Sequence, residues 1–257
     1  MDRWVGKVAM ITGASSGIGV QITRALAKNG MKVIAVARRL EKLEELARNI
    51  KLEFKTEVCT LQCDVRREED ILKVFKWAEE KLGGIDVMIN NAGVISPEEI
   101  IEGSTETYRK IMDVNVIATA ICSRELVQSI KKRKASGYII NISSIAGHNV
   151  EIITEPVSLY CASKFAVTAM AASLRNELIN TNLDVKVTNV SPGAVRTPML
   201  TEVYGLSNAI SSGLLPVLES EDIADAVVYV LNTPSHVQIS EVILTVHKTG
   251  FTSKNIK

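Results

Sequence analysis

The chain has 257 residues, enough for one large domain with a substantial core, and no Pro-, Gly- or Ser-rich linker divides it, so a single domain over 1–257 is expected. Thirty basic residues against twenty-nine acidic ones leave no global field to attract nucleic acid or an anionic membrane, which points to a small-molecule partner. No apolar run approaches the roughly 20 residues of a membrane span, and the start Met1–Lys7 lacks a signal peptide's apolar region.

Cys59, Cys63, Cys122 and Cys161 are too few and scattered for a disulfide framework, and no histidine cluster joins them to bind a metal. A soluble, cytoplasmic protein with reduced thiols and no metal is expected. In chain order, Val8–Ile11 reads as a strand, and Ile18 to Lys28 as a helix stopped by Asn29-Gly30. A second strand, Lys32–Ala37, precedes the amphipathic stretch Leu40–Glu53. Further strands are Glu57–Gln62, Asp86–Asn90, Tyr138–Ile142, Val185–Val190 and Val242–Val246, with helices near 68–82, 104–133, 159–180 and 220–231, and a polar tail at Thr252–Lys257. The strands are continuously apolar and lie between helices, as in a parallel sheet covered on both faces. The expected fold class is α/β, a doubly wound Rossmann-type fold with a seven-stranded parallel sheet flanked by helices.

Between the first strand and its helix lies Thr12-Gly13-Ala14-Ser15-Ser16-Gly17-Ile18-Gly19. A loop there presents backbone N–H groups at a helix N-terminus, where phosphate oxygens are favoured by hydrogen bonding and by the helix dipole. Its GxxxGxG spacing differs from the GxGxxG dinucleotide fingerprint by a longer first gap. The second strand ends Ala37-Arg38-Arg39 with no carboxylate at its tip. An acidic side chain there would suit the ribose of NAD, whereas a guanidinium suits a 2′-phosphate, so NADP(H) is expected, with Arg38 the better placed of the two arginines. Tyr160 and Lys164 stand one helical turn apart. A nearby ammonium is expected to pull the phenol's pKa down from about 10 and make it a usable general acid or base.

Six segments then occur in one order: TGASSGIG at 12–19, Asn90-Asn91-Ala92-Gly93, Asp113-Val114-Asn115-Val116, Asn141-Ile142-Ser143-Ser144, Tyr160-Cys161-Ala162-Ser163-Lys164 and Pro192-Gly193-Ala194-Val195-Arg196-Thr197. Together they resemble the short-chain dehydrogenase/reductase family in its single-domain form, and the resemblance covers essentially the whole chain. It implies Ser144 as the catalytic serine, with Ser143 as runner-up expected to face the other way along the strand. It implies that Tyr160 carries the proton, and that Asn115, by its side chain or by a local distortion of its helix, holds a water linking Lys164 to solvent. For the cofactor it implies the loop residues Gly13, Ser15, Ser16, Gly17, Ile18 and Gly19, with Arg38 and Arg39 at the 2′-phosphate. Asp64 and Val65 would meet the adenine, Asn91, Ala92 and Gly93 the adjacent ribose, Tyr160 and Lys164 the nicotinamide end, and Val195 and Thr197 the carboxamide.

The resemblance places a substrate lid at about 198–216, rich in Leu, Ile, Val and Tyr, and His148–Ser158 holds extra residues expected to border the same pocket. An apolar lid favours a lipophilic alcohol or ketone. With Arg38, the run Thr233–Ile239 is similar to farnesol and hydroxysteroid dehydrogenase-like members, which implies a terpenoid or steroid substrate, and a homodimer or homotetramer joined through the long helices 104–133 and 159–180. A broad carbonyl or quinone reductase and a non-catalytic NADPH-sensing protein remain the alternatives. A sugar epimerase would need more chain than the roughly forty residues after Glu219.

Overall fold

In a computed structural model that describes residues 1–153 and 155–247, seven strands pair side by side in the order β3-β2-β1-β4-β5-β6-β7, all parallel. They are β1 (Val8–Thr12), β2 (Lys32–Ala37), β3 (Val58–Gln62), β4 (Val87–Asn90), β5 (Gly137–Ile142), β6 (Val185–Pro192) and β7 (Glu241–Leu244). The helices are α1 (Ile18–Lys28), α2 (Leu40–Phe54), α3 (Glu68–Leu82), α4 (Thr105–Met112), α5 (Ala118–Arg133), α6 (Tyr160–Asn180), α7 (Pro198–Thr201), α8 (Ser207–Ser211) and α9 (Ser220–Asn232). The expected tail Thr252–Lys257 lies outside the described residues.

Parallel strands are joined by crossovers, and here the helices cover both faces, so successive residues of one strand enter different cores. Along β1, Ala9 and Ile11 pack with α1, α2 and α9, whereas Val8 and Met10 pack with α3, α5 and α6. That is why the strands read as unbroken apolar runs.

Two expected boundaries are corrected. The helix expected over 104–133 is interrupted by a π turn at Asp113–Ile117, which divides α4 from α5. Asn115 in that turn points into the molecule, where it bonds residues outside its own helix, and an extra residue per turn is how a helix accommodates such an inward polar side chain. The last strand begins at Glu241 and ends at Leu244, earlier than the expected Val242–Val246.

β1 lies between β2 and β4, so the chain winds outward one way from β1 and returns to start β4 on its other side. The loops leaving β1 and β4 therefore diverge at the carboxyl edge of the sheet, and a crevice opens between them, the usual ligand position in such folds. At the opposite edge Asp86, 5% exposed, accepts from Val8 N at 3.0 Å and from Arg133 Nη1 at 2.9 Å, tying β1 and the end of α5 together. Asp86→Ala leaves a buried N–H and a half-buried guanidinium without their partner. It should lower stability by about 3 kcal/mol in urea unfolding, and an unchanged midpoint would show that the pair contributes nothing.

Candidate active site

The crevice is a cavity of about 540 Å³. Every expected site residue lines it except Gly19 and Asn115, which stand behind its wall. At Gly13 the backbone takes φ +66°, and a Cβ would come 2.9 Å from the Ala92 Cα. At Gly19 a Cβ would come 2.5 Å from the Gly13 carbonyl oxygen, so Gly19 serves the packing of α1 on the loop. Gly17 is the N-cap of α1 and provides no side-chain cap, which leaves the helix's first N–H groups facing the cavity wall.

Thr12, which the sequence did not single out, locks this loop to the next one. Its hydroxyl accepts from Asn91 N and Ala92 N, both at 3.0 Å, while Asn91 Nδ2 donates to Thr12 O at 2.8 Å. At one end of the cavity Arg39 Nη2 donates to the hydroxyls of Ser15 at 3.0 Å and Ser16 at 3.1 Å. Arg39, the less favoured arginine, is thus the one joined to the glycine loop, while Arg38 lines the same corner. The Arg66 guanidinium beside Asp64, bonded Nε to Oδ1 at 3.0 Å, holds that carboxyl below its ordinary range, and Arg38 adds to the effect.

At the other end, Tyr160 opens α6 and Lys164 follows one turn later, its Nζ 5.5 Å from the centre of the Tyr160 ring. Nζ also donates to Ile142 O at 2.9 Å. Ser144 caps the short turn Ile145–Gly147, its Oγ accepting from Ala146 N at 3.1 Å, and it also hydrogen-bonds Tyr160. Ser143 bonds Val190 O through its N–H, and its buried hydroxyl has no partner among the described residues. Asn115 accepts from Val94 N at 2.8 Å and donates to Val94 O and to Ser163 Oγ, both at 2.9 Å; Ser163 in turn donates to Tyr160 O at 2.6 Å. Both amide protons of Asn115 are therefore spent on protein groups.

The expected effect of Lys164 on Tyr160 is reversed by burial. Burial pushes the Tyr160 phenol up to about 12, against a hydrogen bond from Ser144 that lowers it, with Cys161 and Tyr204 raising it further. Burial also pushes Lys164 down to about 8. Desolvation disfavours both charged forms and is the largest cause of each shift.

The lid forms as α7 and α8, and Met199, Leu200, Tyr204 and Leu206 face the cavity opposite Ile152 and Ile153 of the 148–158 loop. Tyr204 Oη donates to Pro156 O at 3.0 Å and stitches the two together. Also unforeseen is a ladder across three neighbouring strands, Asn90 Nδ2 to Asn141 Oδ1 at 2.9 Å and Asn141 Nδ2 to Asn189 Oδ1 at 3.0 Å. Only the strand registers bring those asparagines together.

The model of the short chain dehydrogenase family matches residues 7–205. The chain belongs to the short-chain dehydrogenase family. It is 46% identical over 251 residues to the farnesol dehydrogenase of Aedes aegypti, covering 97% of this chain and 99% of that protein. It is 41% identical over 247 residues to dehydrogenase/reductase SDR family member 11 of Gallus gallus, covering 94% and 96%. A short-chain dehydrogenase from Sphingobium yanoikuyae, solved in complex with NADPH, superposes with a TM-score of 0.79 at 26% identity, covering 94% of this chain and 89% of that one. The family resemblance and the fold class read from the sequence are met, and this short-chain dehydrogenase is an oxidoreductase. Among its described residues no group of three or more His, Cys, Asp or Glu could hold a metal ion, and no helix is long and apolar enough to cross a membrane.

Lys164 makes a pH prediction. Between about 8 and its ordinary 10.5 the unfolded chain keeps a proton that the folded protein has lost, so stability rises with pH across that window. Below about pH 8 the folded state must hold the buried cation. Urea unfolding should therefore show wild type gaining up to about 3 kcal/mol relative to Lys164→Met from pH 8 to 10.5; a constant difference would contradict the burial of the charge.

Proposed function

We propose that this short-chain dehydrogenase uses NADP(H) to interconvert an alcohol and a carbonyl on a lipophilic substrate, a terpenoid such as farnesol or a steroid. One observation carries the reading: a single cavity runs from an arginine corner past the glycine loop to Ser144, Tyr160 and Lys164, and then under an apolar lid.

The wall suits a dinucleotide. Gly93 and Gly193 both line it, and a Cβ on either would meet the nearest protein atom only at 3.7 and 3.6 Å, an ordinary contact. Their neighbours do not require glycine, so the missing Cβ atoms serve to leave the cavity open. The loop from Gly13 to Gly19 would hold the pyrophosphate, Arg38 and Arg39 the 2′-phosphate, Asp64 and Val65 the adenine, Asn91, Ala92 and Gly93 the adjoining ribose, Lys164 and Tyr160 the nicotinamide ribose, and Val195 and Thr197 the carboxamide. When bound, NADP(H) supplies or accepts the hydride.

The chain's own groups handle the oxygen. Ser144 and Tyr160 both donate to it, which polarises the carbonyl, and Tyr160 delivers the proton in reduction and removes it in oxidation. A phenol at about 12 is a weak acid, so a positive charge beside it is worth having, and Lys164 at about 8 is still mostly protonated at neutral pH. Asn115 holds Val94 and the first turn of α6 in place, so a proton path from Lys164 to solvent runs along the main chain of the π turn. Ile117 and Phe165 are 50% and 42% exposed where α5 begins and along α6, and we assign to these helices a homodimer or homotetramer contact, measurable by light scattering.

Tyr160→Phe keeps the ring and loses the proton. Turnover should fall by about 10³-fold while NADPH affinity, followed by fluorescence, stays nearly constant; near-normal turnover would remove Tyr160 from this role. Substituting Arg38 and Arg39 together by Ala should cut the preference for NADPH over NADH by about 100-fold, and wild type that binds NADH more tightly would refute the arginine corner. Farnesol, a hydroxysteroid, a quinone and a sugar alcohol compared at equal concentration test the substrate class, with the sugar alcohol expected to be poorest.

A further inference from the structure

The turn that carries Ser144 is clamped on three sides. Gly147 lies against α6, where a Cβ would come 2.8 Å from the Lys164 carbonyl oxygen. Ser143 N donates to Val190 O of β6 at 2.8 Å. The third side is His148, the C-cap of the turn, whose Nε2 lies 3.2 Å from Glu241 Oε1 on β7 and 3.4 Å from Ser191 Oγ on β6. A carboxylate only accepts, so the imidazole presents Nε2–H to Glu241. The Ser191 hydroxyl donates to the same carboxylate oxygen.

Serine, histidine and glutamate together could suggest a nucleophile with its base. Ser191 is wholly buried, however, out of reach of any substrate, and His148 turns its Nε2–H to Glu241, so the imidazole does not serve as the base for that hydroxyl. The arrangement is a strut. One end is the turn that starts at Ser144; the other is the strand residue immediately before Pro192 and Gly193, which lead into Val195 and Thr197.

We propose that His148 is a positioning residue for Ser144: through Glu241 and Ser191 it fixes the turn bearing the Ser144 hydroxyl against the strand end opposite it. Without the strut the turn keeps its contacts to α6 and to Val190 but is free at its C-terminal end. A shift of about 1 Å in a group that meets the reacting oxygen is enough to cost up to 100-fold in rate.

The proposal rests on the oxidoreductase reading above, and the test keeps the two apart. His148→Ala should lower kcat for carbonyl reduction by about tenfold, with KM and NADPH affinity by fluorescence close to wild type. His148→Gln, whose amide can present an N–H to Glu241, should recover most of the loss. The decisive measurement is made in the Ser144→Ala background, where His148→Ala should cost nothing further, because the group it positions is already gone. A second tenfold loss there, or a loss shared by NADPH affinity, would overturn the proposal. Wild-type protein that binds NADPH but reduces no carbonyl would instead refute the proposed alcohol–carbonyl interconversion. Thermal unfolding of His148→Ala within a few degrees of wild type is expected, and a collapse of the melting temperature with no recovery in His148→Gln would mark His148 as a fold residue and sink the proposal.

Discussion

A lysine ammonium only 5% exposed at the carboxyl edge of the sheet organises what surrounds it. The cation must have polar partners, since a buried charge without them costs several kcal/mol. Its protein partner is the carbonyl of Ile142, the last residue of β5, left free where the strand ends and the chain turns away into Ser143 and Ser144. The geometry that receives the lysine therefore also sets the serine pair. Because α6 must deliver both Tyr160 and Lys164 to this point, its first turn is fastened from behind by Ser163 and Asn115, and Asn115 reaches it from the widened, underwound π turn. The local fold sacrifices helix regularity and a stable protonation state for a positive charge held close to a phenol.

The same logic accounts for the unusual polarity of the sheet's end. Asn90, Asn141 and Asn189 are almost wholly buried side by side on β4, β5 and β6. Each amide that donates to the next consumes a donor and an acceptor that would otherwise be unsatisfied, and Ser123 accepts a further bond from Asn90 at 3.2 Å. The ladder ties β4, β5 and β6 at the level from which the Asn91 loop, the Ser144 turn and the Pro192 segment depart. Small displacements among those three loops are resisted by hydrogen bonds whose loss would strand buried polar atoms.

Much of this was legible in the sequence, for identifiable reasons. Continuous apolar runs announce strands buried on both faces, and Val8–Thr12 and Lys32–Ala37 lie where the runs predict them. The cavity-lining residues were legible because loop chemistry is written in residue type: glycines where backbone must approach backbone, and arginines in place of a carboxylate at the tip of β2. What was hidden depends on distance along the chain. Thr12 reaches Asn91, and His148 reaches Glu241, across separations that no local pattern encodes. The direction of the Tyr160 shift was hidden for another reason: spacing reports the presence of a cation, but the balance between attraction and desolvation depends on how deeply both groups are buried.

The cavity's two ends differ in a way that decides how two molecules share it. Arg38, Arg39, Arg66 and Lys110 line one end, and beyond Tyr160 the wall changes to Met199, Leu200, Leu206, Ile152 and Ile153. A ligand with a highly charged end and a flat uncharged end can lie in such a cavity in one direction only, because reversing it would press phosphate against an apolar wall and leave the guanidiniums uncompensated. The apolar remainder then admits a partner that gains from losing water. Ser144 and Tyr160 stand where the two regions meet, so their hydroxyls border both the polar stretch and the apolar wall.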